Sequence, residues 1–489
     1  MASTMETKAE PSAVTSDQGE LGLQQVSVPE ERKKGGLKVM PFIIANEAFA
    51  SLATTALSPN MIQYLMQSYN LGVAKGTNIL FLWNGGASFM PFVGAFVADS
   101  YLGRFLAISI GSIFNSWGCL FYGLLFLATI FFFIASALYV KAKASSSLLT
   151  GFAQVLVAAF KNRKLTLPPQ NSDGIGVYHH QKDSKLHAPT DKIRFLNKAN
   201  VIKNPELDIA PDGSVSNPWS FCTIEQVEEL KTLIKVIPIW STGIMMSVNH
   251  SQGSFPLLQA KTMDRHVTSS FQIPPGSFVM FMIFSPIIWI LLYDRVLLSL
   301  ASKIRGKPVR ISTKNRIGIG LFISCLSIVA SALVEMVRRR KAIKEGHLNN
   351  PQALVNMSAM WLVPHHALGG IAEAFNRIGQ NEFYYSEFPE TMSSISVAIT
   401  GLSGAASCLI TSFILNIVND VTSRGGKESW SSDNINKGHY DRYYWVLVIL
   451  SAGNVLYFCV CGWAYGPVVQ KGSKASEESK EEDLTDLHT

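Results

Sequence analysis

Residues 315–336 read NRIGIGLFISCLSIVASALVEM, an apolar stretch about as long as a helix needs to cross a bilayer. The apolar residues are blocked rather than periodic, which is typical of membrane-spanning helices. Six such segments follow one another in the second half of the chain, near 234–256, 274–298, 315–336, 354–380, 391–418 and 442–466. The sequence therefore predicts an all-α polytopic membrane protein with a complete six-helix C-terminal bundle.

The composition agrees with a membrane protein and argues against several other classes. Of the 489 residues, 48% are hydrophobic and only 16% are charged, whereas a soluble protein carries about a quarter charged residues. The net charge of +7 lies in loops without interleaved aromatic residues, so no nucleic-acid partner is predicted. We find no phosphate-cradling glycine loop, nucleophile–base pairing or metal-ligand spacing. An enzyme is therefore disfavoured, and no catalytic residue, metal or cofactor is predicted.

The region before residue 234 has room for only about three apolar segments, near 39–66, 76–98 and 105–139. As one helix the last of them would be about 50 Å long, against a hydrocarbon core of about 30 Å. It is too long for one crossing and too short for two. Its only polar interruption lies at residues 115–119.

Charge counting raises a problem of parity in this N-terminal half. Basic residues before the first span and in the loop 299–314 predict a cytoplasmic N-terminus and a cytoplasmic linker. That arrangement needs an even number of crossings before the linker. Either block 105–139 enters and leaves on one side, turning near Asn115–Cys119, or the two halves have mismatched topology. The cluster Arg338–Lys341 would face outward, against the positive-inside bias.

The chain is predicted to divide into a cytoplasmic tail, an incomplete N-terminal bundle, a cytoplasmic linker, the C-terminal bundle and a disordered tail, at 1–38, 39–140, 141–230, 231–468 and 469–489. The linker begins with an amphipathic stretch, Ala144–Phe160. This stretch either lies on the membrane face or packs as a solvated helix on the linker.

Several strings resemble one family over nearly the whole chain outside its tails. They include MPFIIANE (40–47), ADSYLGR (98–104), FQIPPGS (271–277), AEAFNRIGQ (372–380) and EFYYSEFP (382–389). The chain thereby resembles the plant nitrate transporter 1/peptide transporter family, within the proton-dependent oligopeptide transporters of the major facilitator superfamily. The resemblance implies two six-helix bundles joined by a cytoplasmic linker and rocking about a midplane site.

Against that family, residues 105–116 resemble the start of the third helix and residues 131–140 the end of the sixth. The resemblance therefore implies a shortened form that lacks most of the third to fifth helices. Such an internal loss would produce both the half-length segment and the parity problem.

His250 and Glu373 are the candidate chemical residues in the predicted C-terminal bundle. Each is an ionisable residue within an apolar segment, which predicts that it faces an interior or a cavity. Protonated His250 could hold a small anion such as nitrate and couple its binding to protons; the alternative is a neutral histidine satisfied by a neighbouring helix. The resemblance matches His250 to a substrate-binding histidine. It matches Glu373 to a carboxylate that pairs with a fourth-helix lysine, which is absent here, so we expect Glu373 to be unpaired and protonated.

Glu47 begins the first-helix motif that the resemblance links to proton coupling. The family pattern has a second acid and a cation, but here the string continues as Ala48-Phe49-Ala50-Ser51. Proton coupling through this helix is therefore in doubt, and Glu47 could instead bond to a neighbouring backbone group.

Two further groups are predicted to act in gating or structure. Asp99, Gly103 and Arg104 resemble the superfamily's cytoplasmic loop signature, in which the charges brace helix ends during rocking. Asp264 and Arg265 are predicted as a gate or interface pair.

Two functions from different classes remain open. The leading hypothesis is a plasma-membrane secondary transporter that moves nitrate or another small solute, such as a peptide or a plant hormone, together with protons across the lipid bilayer. The second is a transport-incompetent form that associates with itself or a full-length relative, or senses a ligand. The missing helices, the missing lysine and the altered first-helix string favour the second.

Overall fold

The computed structural model describes residues 40–42, 44–45, 60–118, 129–130, 133–134, 148–167, 178–179, 189–202, 215, 217–307 and 311–466. Its N-terminal and linker helices are α1 (Val73–Val97), α2 (Arg104–Gly118) and α3 (Leu148–Lys161). The remaining α-helices are α4 (Ile224–His250), α5 (Ser254–Lys261), α6 (Met280–Leu292), α7 (Leu298–Arg305), α8 (Thr313–Lys344), α9 (Val363–Glu387), α10 (Ser393–Thr422) and α11 (Tyr440–Tyr465). Strands β1 (Met263–Asp264) and β2 (Val355–Ser358) pair in parallel.

Each of the six apolar segments predicted in the second half contains a long helix, so this part of the fold prediction is confirmed. Within the described residues, five helical runs are long and apolar enough to cross a membrane, at Val73–Leu102, Pro275–Leu292, Thr313–Lys344, Ile395–Thr422 and Tyr440–Tyr465. Helices α4 and α9 are equally long but carry charged residues.

The largest differences in helix boundaries have local causes. Helix α4 begins ten residues before the predicted apolar segment, because Thr223 and Gln226 form a capping box. Helix α8 continues to Lys344 because its last turns are held by a buried ion pair: Arg338 Nε donates to Glu335 Oε2 at 2.7 Å, and both side chains are fully buried. The adjacent Arg339 donates to the carbonyl of Gly438 at 2.7 Å. Arg338 and Arg339 are therefore tied to protein groups at the end predicted to face outward.

Helices α8 and α9 approach closely, which fixes α9 in the bundle. A Cβ atom placed on Gly320 of α8 would lie 2.9 Å from the backbone nitrogen of Asn376. Small residues permit such close backbone contacts between membrane helices. Gly320 therefore allows α9 to lie against α8 along this contact.

In the N-terminal half, α1 packs lengthwise against α10. A Cβ atom on Gly401 of α10 would lie 2.8 Å from the carbonyl oxygen of Ser88. Nearer the start of α1, Asn78 Nδ2 donates to Asn416 Oδ1 at 3.2 Å. The backbone nitrogen of Val73 donates to Asp433 at 2.6 Å. These contacts attach α1 to the C-terminal bundle.

Block 105–139 is not one straight helix. Helix α2 includes residues 115–118 of the polar interruption, ends at Gly118 and is about 22 Å long, less than a bilayer core. Thr129 Oγ1 then donates to the carbonyl of Ser112 at 3.3 Å, although a straight helix would separate these residues by about 25 Å. This contact favours the alternative in which the block folds back on itself.

The amphipathic stretch of the linker forms α3, and one face of it packs on the linker. Phe152, Val155 and Ala158 are buried against Leu196 and Val227 in one core cluster. The structure thus agrees with the alternative of a helix packed on the linker. An apolar edge stays exposed at Leu156, Val157 and Phe160.

Candidate functional site in the C-terminal half

His250 lies where the regular helix α4 ends inside a longer helical run. A 3-10 turn, Ser251–Gly253, follows it and leads directly into α5. Short 3-10 stretches in the middle of long helices often mark functional hinges. His250 is therefore placed at a local change of helical geometry.

Its neighbours are firmly held. The buried Asn249 Nδ2 donates to Ser324 Oγ at 3.0 Å and to Ser451 Oγ at 2.9 Å. Gln252, also buried, accepts from the hydroxyl of Tyr443 at 3.1 Å. These bonds join α4 to α8 and α11 on either side of His250, whose own side chain remains 46% exposed. The network thus fixes the backbone that presents the imidazole.

Helix α9 lies close to α4 along the same stretch. A Cβ atom on Gly243 would lie 2.1 Å from Gln380 Nε2, so a side chain at 243 could not fit beside Gln380 as placed. Seven residues further along α4 is His250, and seven residues back along α9 is Glu373. A spacing of seven returns to the same helix face. This close approach therefore brings His250 and Glu373 together.

The result is a close contact between the imidazole of His250 and the carboxylate of Glu373. His250 Nδ1 lies 3.5 Å from Glu373 Oε2, and the other oxygen, Oε1, accepts a very short hydrogen bond from the Arg377 guanidinium. The prediction that Glu373 would be unpaired is therefore wrong, whereas its protonation stays a prediction. A histidine and an arginine supplied by the C-terminal half itself contact the carboxylate.

The site lies deep along α9 and is open. Glu373 is ten residues from the start of α9, about 15 Å along a helix about 37 Å long. Its side chain is 24% exposed, and that of Arg377 is 66% exposed. Charged groups at such a depth are expected to line a polar cavity rather than contact lipid.

Asp99 lies at a junction between the two halves. It belongs to the π-helical turn Ala98–Leu102, which Gly103 ends with a positive φ of 76°. Asp99 lines a small cleft together with residues of α1, α3 and α10, namely Ala95, Phe96, Leu148, Leu149, Ile395 and Ala398. Arg104 begins α2. The gating role predicted for this signature stays a prediction.

Asp264 and Arg265 are bonded within their own loop. Asp264 Oδ1 accepts from the backbone nitrogen of His266 at 3.1 Å and lies 2.6 Å from its ring Nδ1. These hydrogen bonds lower the pKa of Asp264 below its ordinary value. Arg265 donates to the carbonyl of Ile273 at 3.3 Å. The predicted role as a gate or interface pair stays a prediction. Glu47 lies outside the described residues.

Sequence reasoning did not single out Arg377 or the adjacent His365 and His366. Arg377 had a readable signal, since it is a basic residue four positions after an acid within an apolar helix. His365 Nδ1 lies 3.0 Å from Ser327 Oγ, and the rings of His365 and His366 are 4.9 Å apart.

Comparisons with known proteins place this geometry in a family. The family model described as PTR2, POT family, matches residues 95–431. The Arabidopsis thaliana protein named NRT1/PTR family 1.2 is 44% identical, over 95% of this chain and 96% of the relative. NRT1/PTR family 1.1 from the same plant is also 44% identical, over 94% and 97%. The first alignment spans 581 positions, more than the 489 residues here, so the relative contains residues without a counterpart in this shorter chain.

Solved structures agree on the fold. An auto-inhibited POT family peptide transporter aligns with a TM-score of 0.62 at 16% identity, over 89% of this chain and 98% of the other. The POT family transporter PepTSo gives 0.61 at 13% identity, over 88% and 99%. At such low identities only the architecture is comparable. The chain is thus a member of the POT family of multi-pass membrane transporters.

Proposed function

We propose that the chain is a proton-linked carrier of a small solute, with nitrate the first candidate, in the plasma membrane. The observation that carries this proposal is the contact of His250 Nδ1 with Glu373 Oε2 at 3.5 Å. It joins a group able to hold an anion to a group able to take a proton. Peptides and plant hormones are the alternative solute classes against which nitrate is to be tested.

The chemistry of the pair supports coupling between protons and anions. An imidazole changes charge near neutral pH, and a carboxylate can be neutralised by one proton. Protonation of His250 adds a positive charge that attracts an anion, whereas the Glu373 carboxylate competes with that anion for the same charge. Anion binding is therefore expected to improve as the pH falls.

A second candidate is the transport-incompetent form that associates with a full-length relative, itself or a ligand. The short α2 and the unmatched residues of the relative favour it. The argument from the missing lysine is weaker, because His250 and Arg377 contact Glu373. What remains is whether the shortened N-terminal half can take part in alternating access.

The test is uptake of labelled nitrate by cells that express the full chain, with surface labelling to confirm delivery. The proposal predicts greater uptake at pH 5.5 than at pH 7.5 and its loss in His250→Ala. The loop variant His347→Ala is the matched control, and it should transport like the parent. Unchanged uptake in His250→Ala would exclude the imidazole as the anion site. No uptake despite surface delivery would favour the second candidate.

A further inference from the structure

Arg377 and His250 contact the two oxygens of one carboxylate. The Arg377 guanidinium is hydrogen-bonded to Oε1 of Glu373, and His250 Nδ1 lies 3.5 Å from Oε2. The Arg377 side chain is 66% exposed, so an incoming molecule can reach the guanidinium without displacing a helix. The carboxylate thus lies between two basic groups in an open site.

The planar shape of the Glu373 carboxylate indicates which kind of anion could bind the Arg377 guanidinium in its place. A guanidinium is planar and suited to bind two oxygens of a planar oxyanion side by side. Nitrate and small carboxylates share this planar arrangement of oxygens and a single negative charge. Glu373 therefore presents to Arg377 the same chemical group that a nitrate or carboxylate ion would present.

We propose that Arg377 is a substrate-binding residue: the Glu373 carboxylate occupies its guanidinium in the empty state, and a planar oxyanion replaces that carboxylate once Glu373 is protonated. The proposal rests on the proposed function and names its substrate class, a planar monovalent oxyanion. It also assigns the coupling to one helix, since Arg377 and Glu373 are one turn apart on α9.

The charges balance through the cycle. With Glu373 ionised and His250 neutral, the carboxylate and the guanidinium cancel. One proton on Glu373 breaks that pair and leaves the guanidinium with one unpartnered positive charge, which the anion neutralises. Protonation of His250 adds a further attractive charge. When the anion leaves, Glu373 releases its proton and pairs with Arg377 again, so proton and anion move together.

Other groups near the site do not replace Arg377. His365 and His366 are buried in the bundle, whereas Arg377 is exposed. The Arg316 guanidinium on α8 lies 2.5 Å from Glu382, two turns further along α9. Arg316 is thus already paired with another acid and serves as a matched control.

The test is binding of nitrate to the purified full chain at pH 5.5 and pH 7.5, repeated with acetate as a planar carboxylate and chloride as a spherical anion. For Arg377→Gln we expect an affinity for nitrate and acetate about 10- to 100-fold lower, the loss typical of a hydrogen bond to a charged group. Arg377→Lys keeps the charge but loses the planar pair of N–H donors. It should bind nitrate and acetate with intermediate affinity and prefer them less strongly over chloride. Arg316→Gln should bind like the parent.

Glu373→Gln provides the second readout, because glutamine resembles the protonated acid. At pH 7.5 this variant should bind nitrate more tightly than the parent does. Its affinity should also change less between pH 7.5 and 5.5, because protonation of His250 is then the remaining source of pH dependence at the site. Unchanged affinity in Arg377→Gln, or a pH dependence as large in Glu373→Gln as in the parent, would overturn the inference.

The two proposals fail in different ways. Nitrate binding that needs His250 but not Arg377 would leave the proposed function standing and overturn this inference. Acetate binding that needs Arg377, without any nitrate binding, would support the inference and remove nitrate as the solute. If the parent binds neither ion, both proposals fall.

Discussion

Helix α8 in the C-terminal half and helix α1 in the N-terminal half are both long and apolar, yet they are packed very differently. Half of the most apolar window of α8 is buried, whereas only 11% of the corresponding window of α1 is buried. Helix α8 lies against α9 and α11 and ends in a buried ion pair. Helix α1 has its main packing contact with α10.

This difference in packing indicates which half of the molecule can hold the proposed anion and proton site. Among the described residues, the contacts that position His250, Glu373 and Arg377 come from helices of the C-terminal half, through residues such as Asn249 and Gly243. The described N-terminal helices reach that half through the α1–α10 contact. The proposed anion and proton site can therefore be intact even where the N-terminal half is incomplete.

The largest expected effect is on the well-packed half. Arg338→Gln removes one partner of the fully buried pair with Glu335 and leaves an uncompensated carboxylate, which costs about 3–5 kcal/mol of unfolding free energy. Thermal unfolding of the purified chain should show a clear drop in Tm. Arg340→Gln, two residues away and exposed, is the matched control. Equal Tm values for both variants would contradict the role assigned to the buried pair.

A smaller effect is expected at the contact between the halves. Gly401→Leu places a side chain where even a Cβ atom would lie 2.8 Å from the Ser88 carbonyl. Overpacking of this kind costs about 1–3 kcal/mol, and here it should separate α1 from α10. Gly453→Leu is the control, because nothing lies within 4 Å of a Cβ atom at Gly453.

Cross-linking reads out that separation directly. A Cβ atom at Gly85 would lie 3.1 Å from Cβ of Cys408, so Gly85→Cys should form a disulfide with the native cysteine after a small adjustment. The neighbouring Gly86→Cys, which faces open space, should not. Adding Gly401→Leu should reduce the Gly85→Cys cross-link. Efficient cross-linking in that double variant would contradict the assigned α1–α10 packing.

The smallest effect is on the loop before α11, and it depends on pH. Burial and the nearby Arg339 and Arg442 lower the pKa of His439 below its ordinary value of 6.5. The folded state therefore binds fewer protons at His439 than the unfolded state does. The contribution of His439 to the free energy of unfolding is present above pH 6.5 and is lost as the pH falls towards the pKa of the folded state. His439→Gln should show a smaller loss of Tm from pH 7.5 to 5.5 than the parent. Identical losses would contradict it.

The sequence predicted the helices better than the site. Runs of apolar residues locate membrane helices because lipid demands them, so the six C-terminal segments were found with shifted ends. His250 and Glu373 were predicted because ionisable residues are rare in such segments. Their pairing depends on the close approach of α4 and α9 at Gly243, which the sequence does not show. The i, i+4 spacing of Glu373 and Arg377 is visible in the sequence, but the exposure of the guanidinium beside the carboxylate is not.

The most direct test of the account is the number of protons taken up when nitrate binds. Calorimetric titration of the full chain near neutral pH, in two buffers of different ionisation enthalpy, gives that number without requiring transport. We expect net proton uptake by the parent and much less by Glu373→Gln. Nitrate binding without any proton uptake by the parent would contradict a linked anion and proton site on α4 and α9.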